Sequence, residues 1–214
     1  MNIAVVTATL GAYDTLRPIP AQTVPCDAFA VTDGDADGWQ VLPAPGPHAH
    51  PRMRAKVPKC RPDLYAHAGL HIWIDGSFQV LEPDFVRWCV DSLGDGDLGM
   101  IRHPDRQSIL AEAEVSAGMV KYQGQQVREQ AADYVRRGYE NRFGMWATGL
   151  IVSRPTARVK ALGDAWLREQ LRWTYQDQIS LPPLLEEFGI VPVDLPGPLY
   201  PNPRFTIRHH HRED

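Results

Sequence analysis

Short apolar runs rich in β-branched residues, each followed by a polar or glycine-containing turn, recur along the chain and predict buried strands. The predicted strands are residues 3–8, 27–32, 39–42, 72–74, 98–101, 147–152 and 190–193. Apolar residues at helical spacing predict amphipathic helices from residue 83 onwards. The predicted helices are residues 83–93, 107–117 and 120–137, a segment containing Val159, Leu162 and Trp166, and a short helix that starts at Asp177 and carries Pro182 and Pro183 in its first turn.

This order of elements predicts an α/β fold in which a mixed, mainly parallel sheet is flanked by helices. The chain has 214 residues, a usual length for one domain, so we expect a single domain over residues 1–214. Hydrophobic residues make up 43% of the chain, which is enough to bury a core. The sequence has neither a signal-peptide pattern nor an apolar run near ~18 residues, so we expect a cytoplasmic protein without a membrane span.

Charge and cysteine content narrow the possible functions. The formal net charge is −4, which argues against broad binding of nucleic acid but leaves room for a local basic groove. Cys26, Cys60 and Cys89 are odd in number and form no C-x-x-C pair. This usage favours free thiols in a reducing compartment.

The strand at residues 72–74 ends at the sequence Asp75-Gly76-Ser77. In open α/β sheets, ligands bind at the carboxyl ends of the strands. A carboxylate at Asp75 can hold a divalent cation or a ribose hydroxyl there, and Gly76 lets a bulky ligand approach the backbone. The alternative is that Asp-Gly only forms the turn that closes the strand.

The first predicted strand opens into a loop of small and polar residues. Thr7 and Tyr13 could touch a base or a ribose from this position. An equally good interpretation is that Thr7 packs within the strand and Tyr13 packs the loop. Neither G-x-G-x-x-G nor G-K-[ST] occurs here, so the dinucleotide fingerprint and the P-loop are both absent.

Five basic residues form one dense cluster upstream of the Asp75 strand. Three of them occupy alternate positions or nearly share one face. Since the guanidinium group of arginine can form paired hydrogen bonds to phosphate oxygens, the cluster is a candidate for neutralising a diphosphate. A solvated basic helix face is the alternative. The alternating residues are Arg52, Arg54 and Lys56, and the cluster continues with Lys59 and Arg61.

Blocks of sequence spread in order along most of the chain carry a family resemblance. The blocks are Tyr13-Asp14, residues 29–33, Arg54-Ala55-Lys56, Trp73-Ile74-Asp75-Gly76-Ser77, His103-Pro104-x-Arg106, Glu112-Ala113, Gln130, Tyr134, Gly138, Arg154, Trp166 and Asp177-Gln178-Ile179-Ser180. Together they resemble the glycosyltransferase-like domain shared by bacterial and phage proteins and by plant mucilage-related proteins, a group formerly of unknown function.

The resemblance implies a GT-A type fold, in which one nucleotide-diphospho-sugar transferase domain binds its donor at the carboxyl edge of the sheet. It implies a donor contact from Asp33, and it places Asp75 where such enzymes use Asp-x-Asp to hold ribose and Mn²⁺ or Mg²⁺. Ser77 replaces the second acid, which weakens metal affinity. A C-terminal histidine often completes the metal site in related transferases. Here that ligand could be His209, His210 or His211, for which a trimmed affinity tag is the alternative origin.

Transfer from a donor such as a UDP-sugar needs charge relief on the leaving phosphates, and an inverting reaction also needs a carboxylate base. The resemblance places Asp177 and Gln178 on the acceptor side, with His103 in another matching block. Trp173 lies just before this pair and could stack on a sugar ring. We expect Asp177 to be the acid on the acceptor side, with Glu112 as the second candidate. A helix N-cap is the alternative role of Asp177.

Two other functions are compatible with these residues. A non-catalytic module would bind nucleotides or sugars without turnover. A hydrolase is suggested because one plant relative has been called a ceramidase, but G-x-S-x-G and H-E-x-x-H are both absent. The acceptor is a glycan, a protein or, given the phage relatives, a modified DNA base. The net charge disfavours DNA, whereas the basic stretches at 52–61 and 204–212 weakly favour it.

Overall fold

The computed structural model describes residues 1–46 and 50–208. The strands in this part of the chain are β1 Ile3–Thr9, β2 Asp27–Thr32, β3 Gln40–Leu42, β4 Leu70–Ile74, β5 Phe78–Val80, β6 Leu98–Arg102, β7 Trp146–Ser153, β8 Val193–Asp194 and β9 Phe205–Ile207. The α-helices are α1 Pro51–Cys60, α2 Phe85–Leu93, α3 Ile109–Ala117, α4 Val127–Arg136, α5 Ala157–Arg172 and α6 Asp177–Phe188. Short 3₁₀ turns lie at Pro62–Leu64 and Val120–Tyr122.

The large sheet has the strand order β3-β2-β1-β4-β7-β6-β8. Strands β3, β2, β1 and β4 are parallel, β7 runs antiparallel to both of its neighbours, and β8 is parallel to β6. The carboxyl ends of β1, β4 and β6 therefore share one edge with the amino end of β7. The predicted α/β fold, with a mixed and mainly parallel sheet flanked by helices, is confirmed.

Alternate residues of the central strands pack into cores on opposite faces of this sheet. Val6 and Trp73 belong to the core that also contains residues of α1, α5 and α6. Val5 and Ile72 belong to the core formed with α2 and with the small sheet of β5 and β9. A third cluster joins α3, α4 and α6. Packing on both faces leaves the carboxyl edge of the sheet for polar residues.

The helix predicted over residues 120–137 is interrupted. Val120–Tyr122 forms a 3₁₀ turn and α4 starts only at Val127, because Gly124, with a φ of +77°, turns the chain between them. The strand predicted at 190–193 is reduced to the two residues of β8. The antiparallel pair β5 and β9 carries no signal of its own in the sequence, because each strand is only three residues long.

The N-cap of α6 is Gln176, whose side chain accepts a hydrogen bond from the backbone N–H of Gln178 at 3.1 Å. Asp177 is therefore the first helical residue, and the N-cap role considered for it is filled by its neighbour. Pro182 and Pro183 lie in the second turn, so their predicted place in the first turn is wrong. This turn lacks two amide donors, and buried leucines on either side of the proline pair hold it against the core.

All three cysteines are free thiols, with Cys60 and Cys89 buried and Cys26 half-buried. Burial raises the pKa of the Cys60 thiol to about 12, which keeps it protonated and unreactive. Over the described ranges, no helix combines the length and the apolar character that a membrane crossing requires.

Candidate functional site

A cleft of about 890 Å³ opens at the carboxyl edge of the large sheet. It is lined by the loop after β1, by α1, by the segment at 119–122 and by the ends of β4 and β7. The chain after β6, the start of α6 and the C-terminal segment at 199–207 complete it. Ligand pockets commonly span ~300–1,000 Å³, so this cleft has room for a molecule of nucleotide-sugar size.

Asp75 lies in this cleft directly after β4. Its backbone N–H donates to Gly149 O at 2.9 Å, so the end of β7 fixes its position. Asp75 Oδ1 accepts hydrogen bonds from Trp73 Nε1 at 2.8 Å and from Lys59 Nζ at 2.9 Å. Asp75 Oδ2 accepts none from the described residues, and the side chain is 38% exposed. One carboxylate oxygen is thus held by the protein and the other is available to a ligand.

Two lysines of α1 and Asp177 form a buried ion cluster beside Asp75. Lys56 and Lys59 are three residues apart and share one face of the helix. Both ammonium groups lie 2.6 Å from Asp177 Oδ2. Thr148 Oγ1 donates to Asp177 Oδ1 at 2.9 Å. Because Lys59 also bonds Asp75, it joins the two carboxylates into one network.

The buried groups of this cluster stay ionised. Burial raises the pKa of Asp177, but Lys56 and Lys59 outweigh burial and hold that pKa well below its ordinary value. Burial lowers the pKa of Lys59, but Asp177 and Asp75 outweigh it and raise that pKa above its ordinary value. A carboxylate with a lowered pKa is a weak base. Asp177 is therefore better suited to hold two ammonium groups than to take a proton.

Gly76 allows the β1 loop to approach the end of β4 closely. A Cβ atom at Gly76 would lie 3.1 Å from Asp14 Oδ2 and 3.4 Å from Ala8 O. Burial and the neighbouring charge of Asp75 raise the pKa of Asp14 to about 6. Asp14 Oδ1 is buried and has no hydrogen-bond partner in the described part of the chain. A carboxyl group that changes its charge at about pH 6 therefore lies beside Asp75.

Two further cations lie in the cleft without a carboxylate partner among the residues described. The Arg52 guanidinium lies 4.4 Å from the ring centre of Tyr13 and 5.5 Å from that of Tyr175. Its Nη1 donates to the backbone oxygen of Lys121 at 2.8 Å. Burial and the positive charge of Lys56 lower the pKa of Lys121. An anion bound here would relieve the repulsion between these cations.

Glu112 is buried and both of its oxygens are engaged. Glu112 Oε2 accepts from Arg106 Nε at 2.6 Å, and Oε1 accepts from Gln176 Nε2 at 2.7 Å and from Ser116 Oγ at 3.2 Å. Burial and the Arg106 charge lower the pKa of His103, whose Nε2 lies 3.6 Å from Glu112 Oε2. Glu112 therefore orients Arg106 and Gln176 towards the cleft.

The C-terminal segment contributes a wall on which polar and apolar groups alternate. Tyr200 Oη donates to Asp105 Oδ2 at 2.9 Å, which ties this segment to the chain after β6. Phe205 and Phe78 stack with ring centres 5.0 Å apart, which holds the small sheet beneath the wall. The exposed Tyr200 offers an aromatic face to the cleft.

Most of the residues predicted for the site come together in the cleft. Those that line it are Tyr13, Lys56, Asp75, His103, Glu112, Asp177 and Gln178. Gly76 borders a separate pocket of about 10 Å³ next to Asp75. These positions support the predicted location of the site at the carboxyl edge of the sheet, while the individual roles stay predictions.

Besides Gly76, four predicted contact residues do not line the cleft. The exposed Asp33 accepts from the backbone N–H of Gly11 at 3.0 Å, and Thr7 is buried within β1. Trp173 is half-buried, with the Arg172 guanidinium 5.3 Å from its ring centre. Their predicted contacts to a donor or an acceptor gain no support from this cleft.

Arg54 is the fourth such residue, and it corrects the interpretation of the basic cluster. Its Nε donates to Pro45 O at 2.9 Å, away from the cleft. In an α-helix, residues two apart point ~200° apart, so Arg54 cannot share a face with Arg52 and Lys56. The face directed at the site is Arg52, Lys56 and Lys59.

The side chains described fit a divalent metal ion poorly. Asp75 Oδ1 is already bonded to an ammonium group, and Ser77 brings no charge. Over the described ranges, no three His, Cys, Asp or Glu side chains gather into a metal-binding group. His209, His210 and His211, the predicted additional ligands, lie outside the described residues. A site for Mn²⁺ or Mg²⁺ would therefore have to draw on this tail as well as on Asp75.

Several residues of the site escaped the sequence reasoning. Lys59 was predicted as a member of the basic cluster, but its pairing with Asp75 and Asp177 was not, although its spacing from Lys56 places both lysines on one face if the cluster is a helix. Thr148 and Lys121 lie in segments that carry no distinguishing pattern. Asp14 is part of a block that resembles the family, but its contact with Asp75 depends on the tertiary fold.

Comparison with known families gives one match. A family model described as TOD1/MUCI70, glycosyltransferase-like domain, matches residues 37–191, which is more than half of the chain. The match includes α1, β4, β6, β7 and α6, and so the ion cluster and Asp75. No curated protein matches the chain at a significant level.

Proposed function

Since the chain belongs to the TOD1/MUCI70 glycosyltransferase-like domain family, we propose that it transfers a sugar from a nucleoside diphosphate-sugar to a hydroxyl group of an acceptor. A UDP-sugar is the first donor to test. The observation that carries the proposal is the cleft itself, in which a half-exposed carboxylate after β4 faces several cations. This combination suits a ligand with both hydroxyl groups and phosphates.

In the proposed complex, Asp75 Oδ2 accepts hydrogen bonds from ribose or sugar hydroxyls. Lys56, Arg52 and Lys121 contact the diphosphate, whose negative charge they relieve as it leaves. Contacts with the rings of Tyr13 and Tyr175 limit the movement of the Arg52 guanidinium before the donor binds. Preorganised charge of this kind stabilises a leaving group without reorganisation in the transition state.

During transfer, the bond between the sugar anomeric carbon and the diphosphate oxygen breaks. A bond from the acceptor oxygen to the same carbon forms, and the proton of the acceptor hydroxyl passes to the departing diphosphate or to solvent water. We propose that His103, Gln178 and the wall around Tyr200 face the acceptor, because they line the part of the cleft beyond the ion cluster. Asp177 acts in this scheme as a positioning residue that holds Lys56 and Lys59.

The test is release of nucleoside diphosphate from a panel of nucleotide-sugars, assayed with and without candidate acceptors. Release that depends on an acceptor supports a transferase. Binding without any release would instead make the protein a non-catalytic nucleotide or sugar module. Asp75→Asn keeps the size of the side chain and removes its charge, so it should lower turnover by ~10²-fold or more if Asp75 contacts the reacting donor.

Asp63→Asn is a matched control for that variant, because Asp63 pairs with Arg61 at 2.9 Å outside the cleft. Equal turnover of the Asp75→Asn and wild-type proteins would contradict the proposed donor contact.

A further inference from the structure

We propose that the cleft binds the diphosphate of its donor through cations of this chain, without a divalent metal ion. The inference rests on the function proposed above and adds how the charge of the donor is neutralised. The residues in contact with the phosphates are Arg52, Lys56 and Lys121. Lys59 lies behind them as the counter-ion of Asp75 and Asp177.

The charges in the site leave a positive surplus at the place where phosphates would bind. Lys56 and Lys59 balance the carboxylates of Asp75 and Asp177, to which they are bonded. Arg52 and Lys121 add two positive charges and have no carboxylate partner in the described part of the chain. A diphosphate diester carries one negative charge on each phosphate. This surplus of two matches the ligand before any metal is added while Asp14 is protonated, and a surplus of one remains when Asp14 ionises as the pH rises through about 6.

The Lys59 ammonium already performs the electrostatic task of a metal on Asp75. It lies 2.9 Å from Asp75 Oδ1 and 2.6 Å from Asp177 Oδ2, and its side chain is only 2% exposed. A divalent cation on the same carboxylate would face this buried ammonium at short range, and like charges repel strongly where water is excluded. The burial of the Lys59 side chain and the packing of α1 limit how far this ammonium can move away from Asp75.

The neighbouring carboxyl group of Asp14 does not make the site more favourable for a divalent cation. Its small pocket is shared with Arg17 and Arg208, whose guanidinium groups disfavour another cation. Arg17 Nε is buried without a hydrogen-bond partner among the residues described, and so is Gln79 Oε1. With Asp14 Oδ1, these atoms offer one donor and two acceptors. A single water molecule satisfies that set, and the volume of about 10 Å³ is close to the minimum for one water.

The experiment is calorimetric titration of the full-length chain with UDP, GDP, ADP and CDP, each in excess EDTA and in excess Mn²⁺. We expect at least one nucleotide to bind with the same Kd, within about threefold, under both conditions. In EDTA, Lys121→Met should raise that Kd by ~10–100-fold, because a charge-assisted contact to phosphate is lost. Lys121→Arg keeps the charge and should restore most of the affinity.

Lys160→Met is the matched control, because Lys160 lies on α5 outside the cleft and pairs with Asp63 at 3.5 Å. It removes the same charge and should leave Kd unchanged. Circular dichroism melting of each variant checks that it is folded before its affinity is compared.

The possible results separate this inference from the proposed function. Nucleotide binding that requires Mn²⁺ would overturn the inference and leave the transferase proposal intact, and a chain ending at Arg208 would then test the tail histidines as ligands. Binding in EDTA that is indifferent to Lys121→Met would overturn the assignment of the phosphate contact. No nucleotide binding under either condition would overturn both proposals.

Discussion

At the scale of single residues, the site depends on a buried lysine and the carboxylates around it. The Lys59 ammonium has Asp75, Asp177 and Thr148 Oγ1 as acceptors, the last at 3.4 Å. Burying a charge is costly unless it is paired and hydrogen-bonded, and here each buried charge meets an opposite one. Such a cluster adds little net stability. Loss of any one member is nevertheless costly, because it leaves an opposite charge buried without a full partner.

The Asp177→Asn variant tests the role of this cluster. The amide keeps the shape of the side chain but leaves Lys59 with less compensation, so unfolding free energy should fall by on the order of 3 kcal/mol. If Asp177 positions the lysines, nucleotide affinity and turnover should fall together. Titration calorimetry, melting and turnover on the same protein measure all three quantities.

Asp164→Asn is a suitable control, because Asp164 forms a half-exposed ion pair with Arg61, and such pairs contribute only ~0–1 kcal/mol. If Asp177 acted only as a general base, turnover would fall by ~10²–10⁴-fold while nucleotide affinity stayed at the wild-type value. Unchanged turnover would leave Asp177 with a structural role alone.

Asp14 gives the protein a pH dependence whose direction is fixed by its neighbours. Burial and the charge of Asp75 raise its folded-state pKa to about 6 from the ordinary value of 3.8. A raised pKa means that the folded protein binds a proton at Asp14 more tightly than the unfolded chain does. The resulting contribution to the free energy of unfolding is fully present below pH ~3.8 and is lost as the pH rises through about 6. Asp14→Asn should therefore raise the melting temperature at pH 7.5 and raise it less at pH 5.

The difference in melting temperature between Asp14→Asn and the wild-type protein should vanish near pH ~3, well below the unfolded-state pKa of 3.8, where Asp14 is protonated in both states. Asp35→Asn removes a charge from an exposed turn and separates this local effect from a change in net charge. A constant difference across the range would show that Asp14 does not titrate between folded and unfolded states as described.

At the scale of elements, α1 is the part that delivers the cations, and its position depends on close packing against α5. A Cβ atom at Gly163 of α5 would lie 2.1 Å from the backbone oxygen of Cys60 at the end of α1. The absence of a side chain at Gly163 thus sets the distance between the two helices. Lys59 lies next to Cys60 in the last turn of α1, and Lys56 lies one turn before it, so this distance also sets their reach towards Asp177.

Gly163→Ala should push α1 away from α5. Overpacking typically lowers the free energy of unfolding by ~1–3 kcal/mol. We expect the upper part of that range, because the added methyl group would meet a backbone atom, which cannot move aside as the end of a flexible side chain can. Nucleotide affinity should fall as well, because the lysines move with the helix. Denaturant unfolding and titration calorimetry measure the two effects.

Gly118→Ala is the matched control, since its Cβ would meet only Val115 O at an ordinary 3.5 Å. If Gly163→Ala were as stable as this control, the close approach of α1 and α5 would not be rigid.

The elements also show how far the sequence could predict the site. Strands β1, β2 and β4 are recognisable because each is a buried apolar run, and Asp75 could be placed at the edge of the sheet because it directly follows one. The face of α1 was misjudged, because alternate spacing suits a strand and the segment is a helix. The break at Gly124 was missed, because a glycine between apolar residues of helical period does not by itself end a predicted helix.

At the scale of the whole molecule, the site is assembled from contacts that no local pattern encodes. Lys56 and Asp177 are 121 positions apart, and Thr148 and Asp177 are 29 apart. Each pair exists only because α1, β7 and α6 converge at one edge of the sheet. The resemblance to a family identified most of these residues, but the partner of each charge became apparent only in the fold.

Because the cleft draws on segments from both ends of the chain, a bound donor should stabilise the protein as a unit. A ligand that binds only the folded state adds ~2.7 kcal/mol of unfolding free energy at a hundredfold excess over its Kd. For a chain of this size, each kcal/mol shifts the melting temperature by ~2–4 °C, so saturating UDP or a UDP-sugar should raise it by ~5–10 °C. Inorganic phosphate at equal ionic strength is the control, since it supplies charge without a base or a ribose. A shift with UDP that phosphate reproduces would mean that the cleft recognises only an anion. The absence of a shift with every nucleotide and nucleotide-sugar would remove the donor site on which the transferase proposal depends.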